Sequence, residues 1–83
     1  MEIQDFISLI EDEFEEIPNG TLAGNSIFRD IEGWSSMHAL LFVALIDHNY
    51  NVLLNGDELK GAITIEDLFL LTKSKIARGE INA

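Results

Sequence analysis

Fifteen acidic residues against five basic ones give this chain of 83 residues a formal net charge of −10, a balance that repels nucleic acid and anionic membranes and favours basic protein partners. A chain of this length makes one domain, 1–83, that buries ~60 to 65% of its surface and has little room for an enclosed active site. With 47% hydrophobic residues a packed core is expected, and with no cysteine there are no disulfides or thiolate metal ligands, which fits a reducing compartment.

The opening MEIQDFISLI is acidic and has no basic segment before its apolar residues, so it does not read as a secretory signal. The longest apolar stretch, Ala39 to Ile46, is far shorter than the ~20 residues that cross a bilayer. A soluble, cytoplasmic, monomeric protein with no membrane insertion is expected. Ile3, Phe6, Ile7, Ile10, Phe14 and Ile17 recur every three or four residues, which predicts a helix from about Glu2 to Glu16, stopped by Pro18, Asn19 and Gly20. The carboxylates between Glu11 and Glu16 lack the glycine and alternating oxygens of a calcium loop and read as a solvated face. From Pro18 to Trp34 the chain is a long connection, with Leu22, Ile27, Phe28, Ile31 and Trp34 as apolar pegs and room for a short helical turn. Asp30 and Glu32 bring negative charge to its end.

Ser35 is then a suitable N-cap for a second helix, from about Ser36 to Asn49, and such a cap is worth ~0.5 to 2 kcal/mol. Ser36, the first helical residue, would hold its hydroxyl beside the positive end of the helix dipole, where a phosphate is favoured. By angular position Phe42, Val43, Leu45, Ile46 and Tyr50 face inward, leaving Met37, Leu40, Leu41, Ala44, Asp47 and His48 on a partly exposed and unusually apolar side. Asn55, Gly56 and Gly61 bracket about one helical turn, Asp57 to Lys60. Thr64 and Asp67 form a capping box for the last helix, with Ile65, Leu68, Phe69 and Ile76 on one stripe. Lys73, Lys75 and Arg78 complement its dipole, and the tail from Gly79 is expected to fray.

The stretch FRDIEGWSSMHALLFVALIDHNYNVLL, followed by TIEDL, resembles the acyl carrier protein family over nearly the whole chain. The resemblance implies an all-α fold, a small four-helix bundle with a long first loop and a short third helix. It implies that Ser36 carries a 4′-phosphopantetheine arm, received from coenzyme A through a phosphopantetheinyl transferase, and that the arm holds acyl groups as thioesters. Acyl-transferring and condensing enzymes of fatty-acid or polyketide-type synthesis are the implied partners. Met37, Leu40, Leu41, Asp47 and Glu58 are the expected partner-binding residues; Phe28, Ile46, Leu54, Leu59 and Ala62 are the expected lining of an acyl groove. Relatives have aspartate just before the modified serine. Here Ser35 keeps the cap but loses a negative charge beside the future phosphate.

An enzyme of the serine-histidine kind is not expected. Ser36 and His38 are two residues apart and point to different faces of a helix, while His48 lies three turns away at ~1.5 Å per residue. No glycine-rich oxyanion loop is recognisable, and the two histidines are too far apart to share a metal. Both are expected at the surface. The alternative to a non-catalytic carrier is an unmodified, carrier-like helical adaptor that acts through protein contacts alone, a reading that Ser35 keeps open.

Overall fold

The computed structural model describes residues 2–15 and 17–79. Four α-helices follow one another: α1 (Ile3–Glu13), α2 (Ser36–Tyr50), α3 (Gly56–Gly61) and α4 (Ile65–Ala77), with a 3-10 turn at Phe28–Asp30 between α1 and α2. Among the described residues there is no strand, only an isolated antiparallel bridge between Ile27 and Thr64. None of the described helices is long and apolar enough to cross a membrane.

The first helix ends earlier than its apolar spacing predicts. Phe14 is already extended, with φ −108° and ψ 106°, and Glu15 is not helical, while Glu16 lies outside the described residues. Asp12, Glu13 and Glu15 crowd the negative end of the dipole with no basic residue in the last turn, which weakens continuation. Phe14 and Ile17 are nevertheless buried, because the chain folds back over the core after leaving the helix.

Glu11 departs from the solvated reading of the acidic run. It is buried, and its Oε2 accepts the backbone N–H groups of Gly20 at 2.9 Å and Leu22 at 3.0 Å. The donated hydrogen bond from Leu22, then that from Gly20, holds the carboxyl below its ordinary value of 4.5. Glu11 is thus the anchor of the loop that follows α1. Its stabilising effect is present above that ordinary value and fades as pH falls through the depressed one. Glu11→Ala is expected to speed hydrogen exchange at the Gly20 and Leu22 amides at neutral pH and to lower the melting temperature; unchanged exchange at both amides would show that the anchor is elsewhere.

The loop then meets the start of α4. Ser26 and Gly24 carbonyls accept the N–H groups of Ile65 at 3.0 Å and Glu66 at 2.8 Å, two donors that have no partner inside their own helix. The approach is close here: a Cβ on Gly24 would lie 3.1 Å from Ile3 Cδ1, which would have to shift slightly to admit it. Of the five apolar pegs, Phe28 is fully buried and Leu22, Ile31 and Trp34 half-buried, but Ile27 is exposed. Its backbone pairs at the Thr64 bridge while its side chain faces out.

α2 buries Phe42, Leu45 and Ile46, with Val43 and Tyr50 half-buried, as the angular argument predicts. It ends where Asn51 takes the left-handed conformation, φ 56°, with its N–H on the Asp47 carbonyl, a role that asparagine fills at lower cost than most residues. α4 starts with the expected box: Thr64 Oγ1 accepts from the Asp67 N–H, and the Asp67 carboxylate accepts from the N–H groups of Ile63 and Thr64. Ile65, Leu68 and Phe69 are buried and Ile76 half-buried. The core formed by Phe6, Ile10, Phe28, Phe42, Ile46, Val52, Ile65 and Leu68 joins α1, the loop, α2 and α4.

α3 buries none of its own residues completely and is held by polar bonds instead. Asn55 and Glu58 cap it reciprocally. At its other end Arg29, stacked on Phe28, donates from Nη2 to the Leu59 carbonyl at 2.6 Å and from Nη1 to the Ala62 carbonyl at 2.7 Å. Lys75 stands in the last turn of α4, as the dipole argument expects, and its side chain also reaches back towards α3. Its ammonium is buried and bonds Leu53 O at 2.9 Å and Glu58 Oε1 at 2.6 Å. Residues 80–83 of the tail lie outside the described residues.

Candidate functional site

The approach to α2 is a sharp bend. Gly33 has φ +80°, and the Trp34 N–H closes a turn on the Ile31 carbonyl at 3.0 Å. Ser35 is extended, with φ −145° and ψ 173°, and its carbonyl accepts the N–H groups of His38 at 3.0 Å and Ala39 at 3.3 Å. The helix therefore begins at Ser36. That residue is exposed, and its hydroxyl makes no hydrogen bond to any described residue. The N–H groups of Ser36 and Met37 also find no acceptor among the described residues, so partial positive charge is concentrated around the free hydroxyl.

Ser35 is engaged differently. Its N–H donates to His38 Nδ1 at 3.2 Å, and its Oγ lies 2.9 Å from the same nitrogen. His38 fills the place that glutamate or glutamine takes in the usual capping box. The imidazole is half-buried rather than a surface group, stacked on Phe14 with centroids 5.9 Å apart and tilted against Trp34 at 5.5 Å. Trp34 in turn meets Phe28 and Phe42 edge-on, at 5.5 and 5.2 Å. This cluster fixes the direction in which α2 sets out and hence where Ser36 stands. The spacing Ser-x-x-His was the available signal for the capping role, though no rule assigns it to histidine.

Beside Ser36, α2 exposes apolar side chains: Met37 is 64%, Leu40 70% and Leu41 42% accessible. Asp30 and Glu32 are exposed on the loop before it, and Asp47 is half-buried. Glu58 is also half-buried, and its carboxylate is committed to Lys75 and to the Asn55 N–H, contacts that together hold it below its ordinary value. His48 is exposed.

The residues expected to line an acyl groove are packed. Phe28, Ile46, Leu54 and Ala62 are buried in the core and Leu59 is half-buried. Cavities among the described residues open at the surface, and of the expected lining only Ala62 borders one of the three described next. One, ≈ 360 Å³, sits under the first loop between Ile17, Leu22 and Ile31. A second, ≈ 330 Å³, separates α3 from α4 and takes in Ala62, with Glu58, Asp67 and Leu71. The third, ≈ 460 Å³, lies between Leu9 and Glu13 of α1 and Leu41, Ala44, Leu45, His48 and Asn49 of α2. No family model, curated protein or solved structure matches the chain.

Proposed function

We propose that the protein is a non-catalytic acyl carrier whose Ser36 hydroxyl takes the phosphopantetheinyl group of coenzyme A from a phosphopantetheinyl transferase, with release of adenosine 3′,5′-bisphosphate and a proton. The observation that supports this most is the exposed, unbonded hydroxyl at the first residue of α2, among amides with no acceptor and a helix dipole that favour a phosphate. The arm, once attached, supplies a terminal thiol for thioester chemistry; this chain holds it at the rim and offers a surface to acyl-transferring and condensing enzymes of fatty-acid or polyketide type. The long first loop, the long α2 and the short α3 agree with a bundle of the acyl-carrier type. α3, held mainly by side-chain bonds, is the element best able to open over the packed residues Phe28, Ile46, Leu54 and Ala62.

Incubation with coenzyme A and a broad-range transferase is expected to add the mass of one phosphopantetheinyl group, and Ser36→Ala to abolish that gain. An unchanged mass, or a gain that survives the substitution, would overturn the assignment. The adaptor reading draws on one particular feature. Ser35 places a hydroxyl already engaged with His38 where relatives have an aspartate. Protein purified from its native host without any arm, and refractory to the transferase, would favour it.

A further inference from the structure

We infer that the cavity under the first loop is a binding site for an aliphatic acyl chain, one that ends in a methyl group rather than a carboxylate. The ≈ 360 Å³ space lies at the small end of the ~300 to 1,000 Å³ usual for ligand pockets, and five apolar side chains line it: Ile17, Pro18, Leu22, Ile27 and Ile31. Its two hydroxyl groups are already engaged within the loop. Thr21 Oγ1 donates to the Pro18 carbonyl at 2.6 Å, and Ser26 Oγ accepts the Ala23 N–H at 2.9 Å. A polar ligand would give up water there and find few partners, whereas methylene groups gain by leaving water. Asp30 and Glu32 complete the lining, and both are exposed. A terminal carboxylate on the ligand would either be buried among apolar side chains or stand beside these two acids, and both placements are unfavourable.

Position connects the cavity to the attachment point. Glu32 comes four residues before Ser36, so at most ~14 Å of extended backbone separates the two. The turn shortens that path, because Ile31, itself part of the lining, accepts the Trp34 N–H at 3.0 Å. An arm on Ser36 spans such a gap and delivers its acyl chain to the loop; this link rests on the carrier reading, while the cavity's preference for an aliphatic ligand does not. Entry between α2 and α3 asks more of the fold. Phe28, Ile46 and Leu54 are buried there, and a chain could pass only by parting a packed core, whereas the loop cavity is already open at the surface. A second copy of this chain, packed through the same face, would set Asp30 and Glu32 against their own equivalents.

The first test uses the full chain, unmodified and isotope-labelled, titrated at neutral pH with 1-octanol and separately with octanoate. Saturable chemical-shift changes from octanol are expected at Leu22, Ser26, Ile27 and Ile31, weakened about fivefold by Ile27→Glu, and octanoate should bind several-fold more weakly than octanol. Asp30→Asn combined with Glu32→Gln should bring octanoate close to octanol. All three positions are exposed, and unchanged circular dichroism would exclude misfolding. Shifts that do not saturate, or that centre on Leu70 and Leu71 or on Leu9 and Leu41, would overturn the inference. So would octanoate bound as tightly as octanol, or a dimer in sedimentation that Ile27→Glu dissolves. The second test compares protein loaded by the transferase from octanoyl-coenzyme A with protein loaded from acetyl-coenzyme A. Differences at the same loop residues are expected; differences centred on Leu54, Leu59 and Ala62 would put the carried chain between α2 and α3 and overturn its delivery to the loop. If the protein takes no arm but octanol still binds in the loop, the carrier reading fails and the aliphatic site stands.

Discussion

Phe42→Ala is expected to destabilise the protein by about 3–5 kcal/mol, a large part of the total stability of a domain this size. Phe42 is fully buried, and its ring lies 5.1 Å from that of Phe14, 5.9 Å from Phe28 and 5.2 Å from Trp34. Those three rings come from the end of α1, the 3-10 turn and the bend before α2. One side chain thus ties the end of α1 and two segments of the long connection to the helix that carries Ser36. Removing it leaves a cavity between these rings, and collapse around the gap would shift Trp34 and the stack on His38. Urea unfolding should show a lower midpoint with an unchanged slope. A loss under about 1 kcal/mol would mean that the loop repacks freely and that the aromatic cluster does not fix the start of α2. Phe42→Leu, which keeps most of the volume, should cost considerably less.

What the residue pattern made legible was the apolar framework. The spacing in α2 and α4 marks their buried faces because the helical period relates sequence distance to angle, and the Thr64 box marks the start of α4 within one residue. Phe14 and Ile17 were correctly placed in the core but in the wrong backbone conformation, since burial needs only that the side chain point inward. The polar anchors were not legible. Glu11 sits in a run of carboxylates, and only the folded chain shows that this one turns inward to meet amides nine and eleven residues away. Arg29 bonds carbonyls 30 and 33 residues along the chain, and Lys75 one that is 22 residues back. No periodicity encodes such partners. At the proposed site, Ser35 and Ser36 could be assigned as cap and first helical residue from their order, whereas the Ser35–His38 contact needed the helix geometry.

Replacing Lys75 by methionine is expected to cost about 2 kcal/mol, because it removes charged hydrogen bonds to Leu53 O and Glu58 while keeping most of the apolar stem. The ammonium end is well shielded, with 9% of the Lys75 side chain and 24% of that of Glu58 accessible, so water restores little of what is lost. Methionine leaves Glu58 with its helix-capping bond to Asn55 and the weaker influence of the Arg78 charge, and α3, which buries no residue fully, loses the Lys75 bond that joins it to α4. Hydrogen exchange should therefore rise first in residues 55–62, before the core. The pH dependence separates this from a simple packing loss. Lys75, through its hydrogen bond, is the main cause that holds the Glu58 carboxyl below its ordinary value of 4.5, with the Asn55 N–H second. A depressed folded value means that the pair stabilises the fold above that pH and stops doing so as acid titrates Glu58 through it. Wild-type stability should thus fall between neutral and acid pH more steeply than that of Lys75→Met, although Glu11 and Asp67, also held low by backbone N–H groups, keep part of the slope in both proteins. If the two proteins lose stability in parallel, the ion pair is not what secures α3. In that case the Arg29 bonds to the Leu59 and Ala62 carbonyls would have to hold it, and Arg29→Met would show the early exchange instead.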